Sequence, residues 1–218
     1  EIYAPEAIHE RALSFIEENG DQPFFLYYPA QIPHASLEAP DDFLQIYLDE
    51  NGESIFEEKP TPQNHYVYTD KPKATYAAMI SSLDHYLGQI LDKVRAEGIS
   101  ENTLVIFTSD NGSHDAGGYH YSMLDSNEPL RGGKRDLYEG GIRVPMIAWW
   151  PGMVEAGSTN DHISAFWDMF PTFAELAGIQ IPAGIDGLSM VPALLGNRDQ
   201  QNHEYLYWEF HEQGGKQA

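Results

Sequence analysis

The apolar run Leu104-Val105-Ile106-Phe107 breaks off into Thr108-Ser109-Asp110-Asn111-Gly112, and this junction most limits what the chain can fold into. Four consecutive apolar residues ending in a turn-forming cluster predict a buried strand. The clearest helix of the sequence precedes it, Thr75 to Glu97. There Tyr76, Met79, Ile80, Leu83, Leu87, Ile90, Leu91 and Val94 recur at the three-and-four spacing of one apolar face, and Gly98 supplies the stop. A long helix that feeds a buried strand fits an open α/β sheet. Such sheets place their chemistry at the carboxyl ends of strands, where Asp110 and Asn111 stand.

The remaining pattern extends that reading. Pro5 to Asn19 predicts a helix stopped by Gly20, with Ile8, Ala12, Phe15 and Ile16 on one side. Phe24 to Tyr28, Met146 to Trp150 and Tyr205 to Phe210 predict further strands, and Asp168 to Ala177 a helix ended by Gly178. Pro29 to Pro40 and Asp41 to Tyr68 read as loop and polar surface. Trp149-Trp150, Phe166-Trp167 and the aromatics of Tyr205 to Phe210 read as packing residues. Strands alternating with helices predict a mostly parallel sheet sandwiched by helices. The long connection from Asn111 to Arg143 is of a kind that usually carries function.

Charge narrows the partners. Twelve basic residues against thirty-four acidic ones give a net charge of −22, which argues against a nucleic acid ligand. Against that background Arg131, Lys134, Arg135 and Arg143 form a local basic cluster. The absence of cysteine excludes disulfides and thiolate metal sites. No apolar run reaches the length of a membrane span, and Glu1-Ile2-Tyr3-Ala4-Pro5 lacks the features of a secretion signal. The sequence reads as starting and stopping in mid-protein, its last residues being Gly214-Gly215-Lys216-Gln217-Ala218.

Few side chains suggest chemistry by type and place. Asp110 and Asn111 offer hard oxygen ligands suited to Ca²⁺ or Mg²⁺, although Asp-Asn-Gly is also an ordinary turn. Lys134 follows Gly132-Gly133, whose backbone lets an anion approach; a solvated basic loop reads the same way. Gly140-Gly141 reads as a tight turn with positive φ. His34, in a proline-bounded loop, is suited to donating a proton or binding an anion, as are His114 and His120 in the long connection. Nine histidines mean that most are bystanders. There is no Gly-x-Ser-x-Gly elbow and no P-loop.

The stretches Thr103 to Gly112, Pro129 to Pro151 and Ser164 to Ile179 resemble the formylglycine-dependent sulfatases of the alkaline-phosphatase-like superfamily. So do Asp186-Gly187-Leu188-Ser189, Pro192-Ala193-Leu194-Leu195-Gly196 and the stretch Tyr205 to His211. The likeness is greatest to bacterial arylsulfatase-like enzymes. It implies an α/β fold, incomplete, with residues 1–204 in the catalytic domain and 205–218 opening a truncated C-terminal subdomain. It implies that Asp110 and Asn111 belong to a Ca²⁺ site (Mg²⁺ in some members), completed by two aspartates nearer the family's N-terminus. It matches Lys134 to the lysine that grips the sulfate, His34 to the histidine that contacts sulfate and assists the leaving group, and His114 to a histidine near substrate.

One departure is large. The family nucleophile, a formylglycine made within a Cys/Ser-x-Pro/Ala-x-Arg motif, has no counterpart in this chain. The resemblance therefore implies part of a sulfatase, inactive alone, with a partner segment or self-association through a bare sheet edge. The expected substrates are sulfated small molecules or sulfated polysaccharides. The expected location is periplasmic or secreted, by family habit. A non-catalytic chain keeping the fold is the second reading, and a phosphatase or phosphonate hydrolase of the same superfamily the third.

Overall fold

The computed structural model describes residues 3–60, 65–211 and 216–217, the last two by backbone alone. Glu1, Ile2, Gly214, Gly215 and Ala218, at the two ends of the chain, lie outside the described residues. The chain divides into two compact units. One combines Glu1–Ile99 with Asp110–Val144, the other Ser100–Ser109 with Pro145–Ala218.

In the first unit, helix α1 (Ala4–Asn19) begins at a proline and packs along the long helix α3 (Pro72–Ala96). Between them runs a short helix, α2 (Asp41–Leu44), continued by one 3-10 turn, Gln45–Tyr47. The stretch expected to be irregular surface thus holds a helical turn that packs on α3. Glu58 closes the N-terminus of α3, its two carboxylate oxygens accepting from the backbone N–H groups of Lys73 and Ala74, each at 3.0 Å. An acid at that end also complements the helix dipole.

The apolar face of α3 is close to the expected one, with one exchange. Met79, Ile90 and Val94 are buried, whereas Ile80 is 42% exposed and Ser82 is fully buried. Ser82 satisfies its hydroxyl by donating to the Met79 carbonyl at 2.8 Å. A buried cluster of Ile32, Leu37, Tyr76, Met79, Tyr86 and Tyr119 forms the core beneath the long connection.

The Phe24–Tyr28 stretch departs from its expectation. It enters no strand among the described residues. Its burial alternates, as a one-sided strand would. Phe24, Leu26 and Tyr28 are partly buried, Phe24 lying edge-on to Phe15 at 5.7 Å, while Phe25 and Tyr27 are 67% and 76% exposed. Burial on one face only is the correction.

His9 lies in the α1–α3 contact, 3% exposed and stacked on Tyr86 with ring centroids 4.5 Å apart. Its Nε2–H donates to Gln89 Oε1 at 2.7 Å, and its buried Nδ1 has no partner. Burial lowers its pKa from the ordinary histidine value, His85 adds to the effect, and Gln89, Glu10 and Glu6 oppose it. The folded state therefore holds the imidazole neutral. Below about pH 6.5 the unfolded chain binds a proton that the folded chain resists, so stability is full above that pH and declines as pH falls. Urea unfolding at pH 7.5 and 5.5 is expected to show a lower midpoint at pH 5.5, with the difference reduced in His9→Leu. An equal pH dependence in that variant would contradict the assignment.

In the second unit, β1 (Val105–Thr108) pairs antiparallel with β2 (Met146–Trp149), Val105 opposite Trp149 and Thr108 opposite Met146. Short strands β3 (Glu209–Phe210) and β4 (Lys216–Gln217) form a second antiparallel pair. The class is mixed helix and sheet as expected, but both ladders among the described residues are antiparallel rather than parallel. A short helical turn, α4 (Glu139–Ile142), belongs to the first unit. Helix α5 (Met169–Leu176) follows a 3-10 turn, Phe166–Asp168, which takes the place of the expected first helical residue.

Asp168, fully buried, organises the second unit. Its carboxylate accepts from the backbone N–H groups of Ala165 and Leu188, both at 2.7 Å, and from His203 Nε2 at 2.8 Å. Three donors satisfy a charge that would otherwise be costly to bury. The aromatic residues read as packing divide. Trp167 and Trp208 meet at 5.6 Å, but Phe166, Tyr205 and Tyr207 are at least half exposed. Their exposure corrects that reading.

Candidate active site

All six residues singled out for chemistry, His34, Asp110, Asn111, His114, His120 and Lys134, lie in the first unit. What joins them is backbone. Gly112 N–H donates to the Gly141 carbonyl at 3.0 Å, and Lys134 N–H to the Ser113 carbonyl at 2.9 Å. Ser113 N–H donates to Asn127 Oδ1 at 3.1 Å, whose amide in turn donates to the Gly132 carbonyl at 2.8 Å. The Asp-Asn turn and the lysine loop, well separated in sequence, are thus laced together.

Glycine makes this approach feasible. A Cβ on Gly112 would overlap the Gly140 carbonyl, and one on Gly140 or Gly141 would overlap the backbone carbonyls of Gly132 or of Asp136 and Gly133. Gly140 and Gly141 form the middle of α4, and neither has positive φ. Close approach, not the left-handed turn expected of them, is why they are glycine, and this corrects that expectation. Gly132, by contrast, has φ +84° and turns the loop toward Lys134.

The Pro33-His34 loop comes in from the other side. Ile32 and Leu37 are 6% and 3% exposed and anchor it in the core, leaving His34 more open between them. His34 Nδ1 lies 2.6 Å from the Ala35 carbonyl. A carbonyl only accepts, so Nδ1 carries the proton. In the neutral ring Nε2 is an acceptor, and it becomes a donor only in the imidazolium.

His114 is buried and fully engaged. Its Nε2–H donates to the Pro33 carbonyl at 2.9 Å, and its Nδ1 accepts from Ala116 N–H at 3.1 Å. Its ring lies 6.0 Å from that of His34 and edge-on to Tyr76 and Tyr119, which stack on each other at 4.0 Å. Burial lowers the His114 pKa; the Pro33 bond opposes this, while His34 and Lys134 push it down further. His120, by contrast, is spent locally, accepting from Ser122 N–H at 3.2 Å.

Asp110 is exposed, and Asn111 donates through Nδ2 to the Gly112 carbonyl at 3.0 Å, which orients its amide. A carboxylate and an amide oxygen suit a hard cation such as Ca²⁺. No group of three or more His, Cys, Asp or Glu side chains that could hold a metal gathers among the described residues. Sequence reasoning missed Ser113 and Asn127, the hinges of the lacing. An Asn or Ser in a loop gives no signal until its partner's place is known.

The sulfatase family model matches residues 2–179. The chain belongs to the sulfatase family. This sulfatase chain is 34% identical over 198 residues to N-acetylgalactosamine-6-sulfatase of Canis lupus familiaris, covering 87% of the chain and 32% of that relative. It is 32% identical to steryl-sulfatase of Rattus norvegicus, covering 93% of the chain and 32% of the relative. It spans about a third of the length of these relatives. Among solved structures, Ps i-CgsB in complex with k-i-k-neocarrahexaose superposes with a TM-score of 0.80 at 31% identity, over 99% of this chain and 44% of that one. The sulfatase chain accordingly has the alkaline-phosphatase-like α/β fold, in part. No helix among the described residues is long and apolar enough to cross a membrane.

Proposed function

We propose that this chain forms the lysine-bearing part of a sulfatase site that hydrolyses sulfate esters to an alcohol and inorganic sulfate. The observation that supports the reading is the bond from Lys134 N–H to the Ser113 carbonyl, which ties the backbone of the lysine loop to the chain just beyond the Asp110–Asn111 turn. Lys134 neutralises charge on the sulfuryl oxygens as the ester bond breaks. His34, with Nδ1–H held by Ala35, turns Nε2 toward the leaving group. As imidazolium it gives the Nε2 proton to the departing alcohol oxygen. His114 holds the Pro33–His34 loop at the edge of the sulfate.

Asp110 and Asn111 would hold a Ca²⁺, with Mg²⁺ as the alternative, together with ligands beyond this pair. A divalent cation held there would supply Lewis-acid polarisation of the sulfate oxygens. No side chain of this chain fits the formylglycine role, since cysteine and the Ser-x-Pro/Ala-x-Arg motif are both absent, so no nucleophilic step is assigned to it. The sugar-sulfate names among its relatives and the oligosaccharide bound to the structural neighbour support a sulfated sugar as substrate. A periplasmic or secreted location belongs to the same reading, as does a catalytic domain ending near residue 204.

The test is sulfate release from an aryl sulfate, with Ca²⁺ present, by the 218-residue chain and by the chain joined to a segment carrying the nucleophile motif. The chain alone is expected to release none and the joined protein to turn over. Asp110→Ala is expected to lower that turnover by about a hundredfold or more. Turnover unchanged in Asp110→Ala would overturn the reading.

A further inference from the structure

We infer that Arg131, stacked on Tyr138, is a second anion subsite that takes an acidic group on the sugar next to the scissile sulfate. This rests on the sulfatase reading and deepens it, because it selects polyanionic over singly sulfated substrates.

The first observation is charge. Acidic residues far outnumber basic ones, and the cations elsewhere are largely claimed. Arg11 pairs with Glu18, Lys93 with Glu17 and Glu97, Arg95 with Asp92, and Arg143 with Glu139. Among the described residues Arg131 and Lys134 have no carboxylate within ion-pair distance. Two unclaimed cations on one loop of an acidic protein form a local attractor for anions. Successive Cα atoms are about 3.8 Å apart, so the two backbones lie within about 11 Å.

The second observation is geometry. The Arg131 guanidinium carbon sits 3.8 Å from the centroid of the Tyr138 ring, with Arg131 exposed and Tyr138 49% exposed. A ring on one side of an exposed arginine leaves its N–H fork open to solvent and to an anion. That fork matches the paired oxygens of a sulfate or carboxylate. The backbone beneath is fixed, for the Arg131 carbonyl accepts from Gly140 N–H at 2.8 Å, and the Gly132 turn lies against the Tyr138 Cβ. The fixed backbone and the ring contact narrow where the guanidinium can go, which lowers the entropic cost of binding.

The two probes are a monosulfated galactobiose and the same disaccharide with one more sulfate on the neighbouring sugar. Their affinities for the 218-residue chain are measured by calorimetry. The disulfated sugar is expected to bind about tenfold more tightly, the worth of one charge-assisted contact. In Arg131→Ala this ratio is expected to fall to near unity, while Tyr138→Phe keeps it, and rising salt shrinks it. Circular dichroism checks that each variant is folded. An unchanged ratio in Arg131→Ala would overturn the subsite and leave the sulfatase reading standing. Lys134→Ala is expected to weaken both sugars, and if it weakens neither, the sulfatase reading fails instead. Failure of both sugars to bind the chain would overturn both.

Discussion

Gly112→Ala is expected to cost the chain about 3 kcal/mol or more of stability, measured by urea unfolding. The added methyl has nowhere to go, because its position coincides with the Gly140 carbonyl, which is backbone and cannot rotate aside. Relief requires the Asp-Asn turn to part from α4, breaking the Gly112–Gly141 bond and straining the neighbouring Ser113–Lys134 bond. Gly88→Ala is the control. Gly88 lies within α3, has no positive φ, and has no neighbour within 4 Å of the place its new methyl would take. There alanine is expected to add about 0.5–1 kcal/mol, because a helix interior favours it over glycine. Comparable stabilities for the two variants would show that the lacing is looser than described.

Lys134→Ala is expected to lower aryl sulfate turnover of the joined protein by about a hundredfold or more. The loss follows if, as proposed, the lysine's charge faces the sulfuryl oxygens. Lys134→Arg is expected to recover only part of it. A guanidinium keeps the charge but is wider and needs a fork-shaped partner, whereas an ammonium acts as a compact point charge. The variants' thermal stability is expected to stay close to that of the parent, because the Lys134–Ser113 bond is made by backbone and survives the exchange. A large drop in stability in Lys134→Ala would assign the residue to the fold instead.

Much of this was legible in the sequence, and the limits are physical. Helices α1 and α3 showed themselves because 3.6-residue periodicity is local, as did β1 and β2 through short apolar runs bounded by turn residues. Ile80 escaped because periodicity identifies a face but not which residues at its margin the neighbours cover. The Phe24–Tyr28 stretch has the composition of a buried strand, yet only its alternate residues are packed. Burial depends on what lies across each face, which local sequence does not state.

The site residues were named by type and by family resemblance, and the structure adds how they are joined. Gly140 and Gly141 were visible as glycines, but the reason for them is the close approach of backbone carbonyls of the preceding loop, from Arg131 to Asp136, not a left-handed turn of their own. His114 was visible as a histidine beside the Asp-Asn-Gly. That both of its nitrogens are spent on backbone, one of them on the His34 loop, follows only from the fold.

The central claim is that Lys134 and His34 face one sulfate beside the Asp110 turn. It is tested most directly by titrating the isotope-labelled 218-residue chain with inorganic sulfate and following backbone and histidine resonances by NMR. The account predicts saturable shifts at Gly133, Lys134 and the His34 ring that vanish in Lys134→Ala. No shift at those positions, or the same shifts in Lys134→Ala, would contradict it.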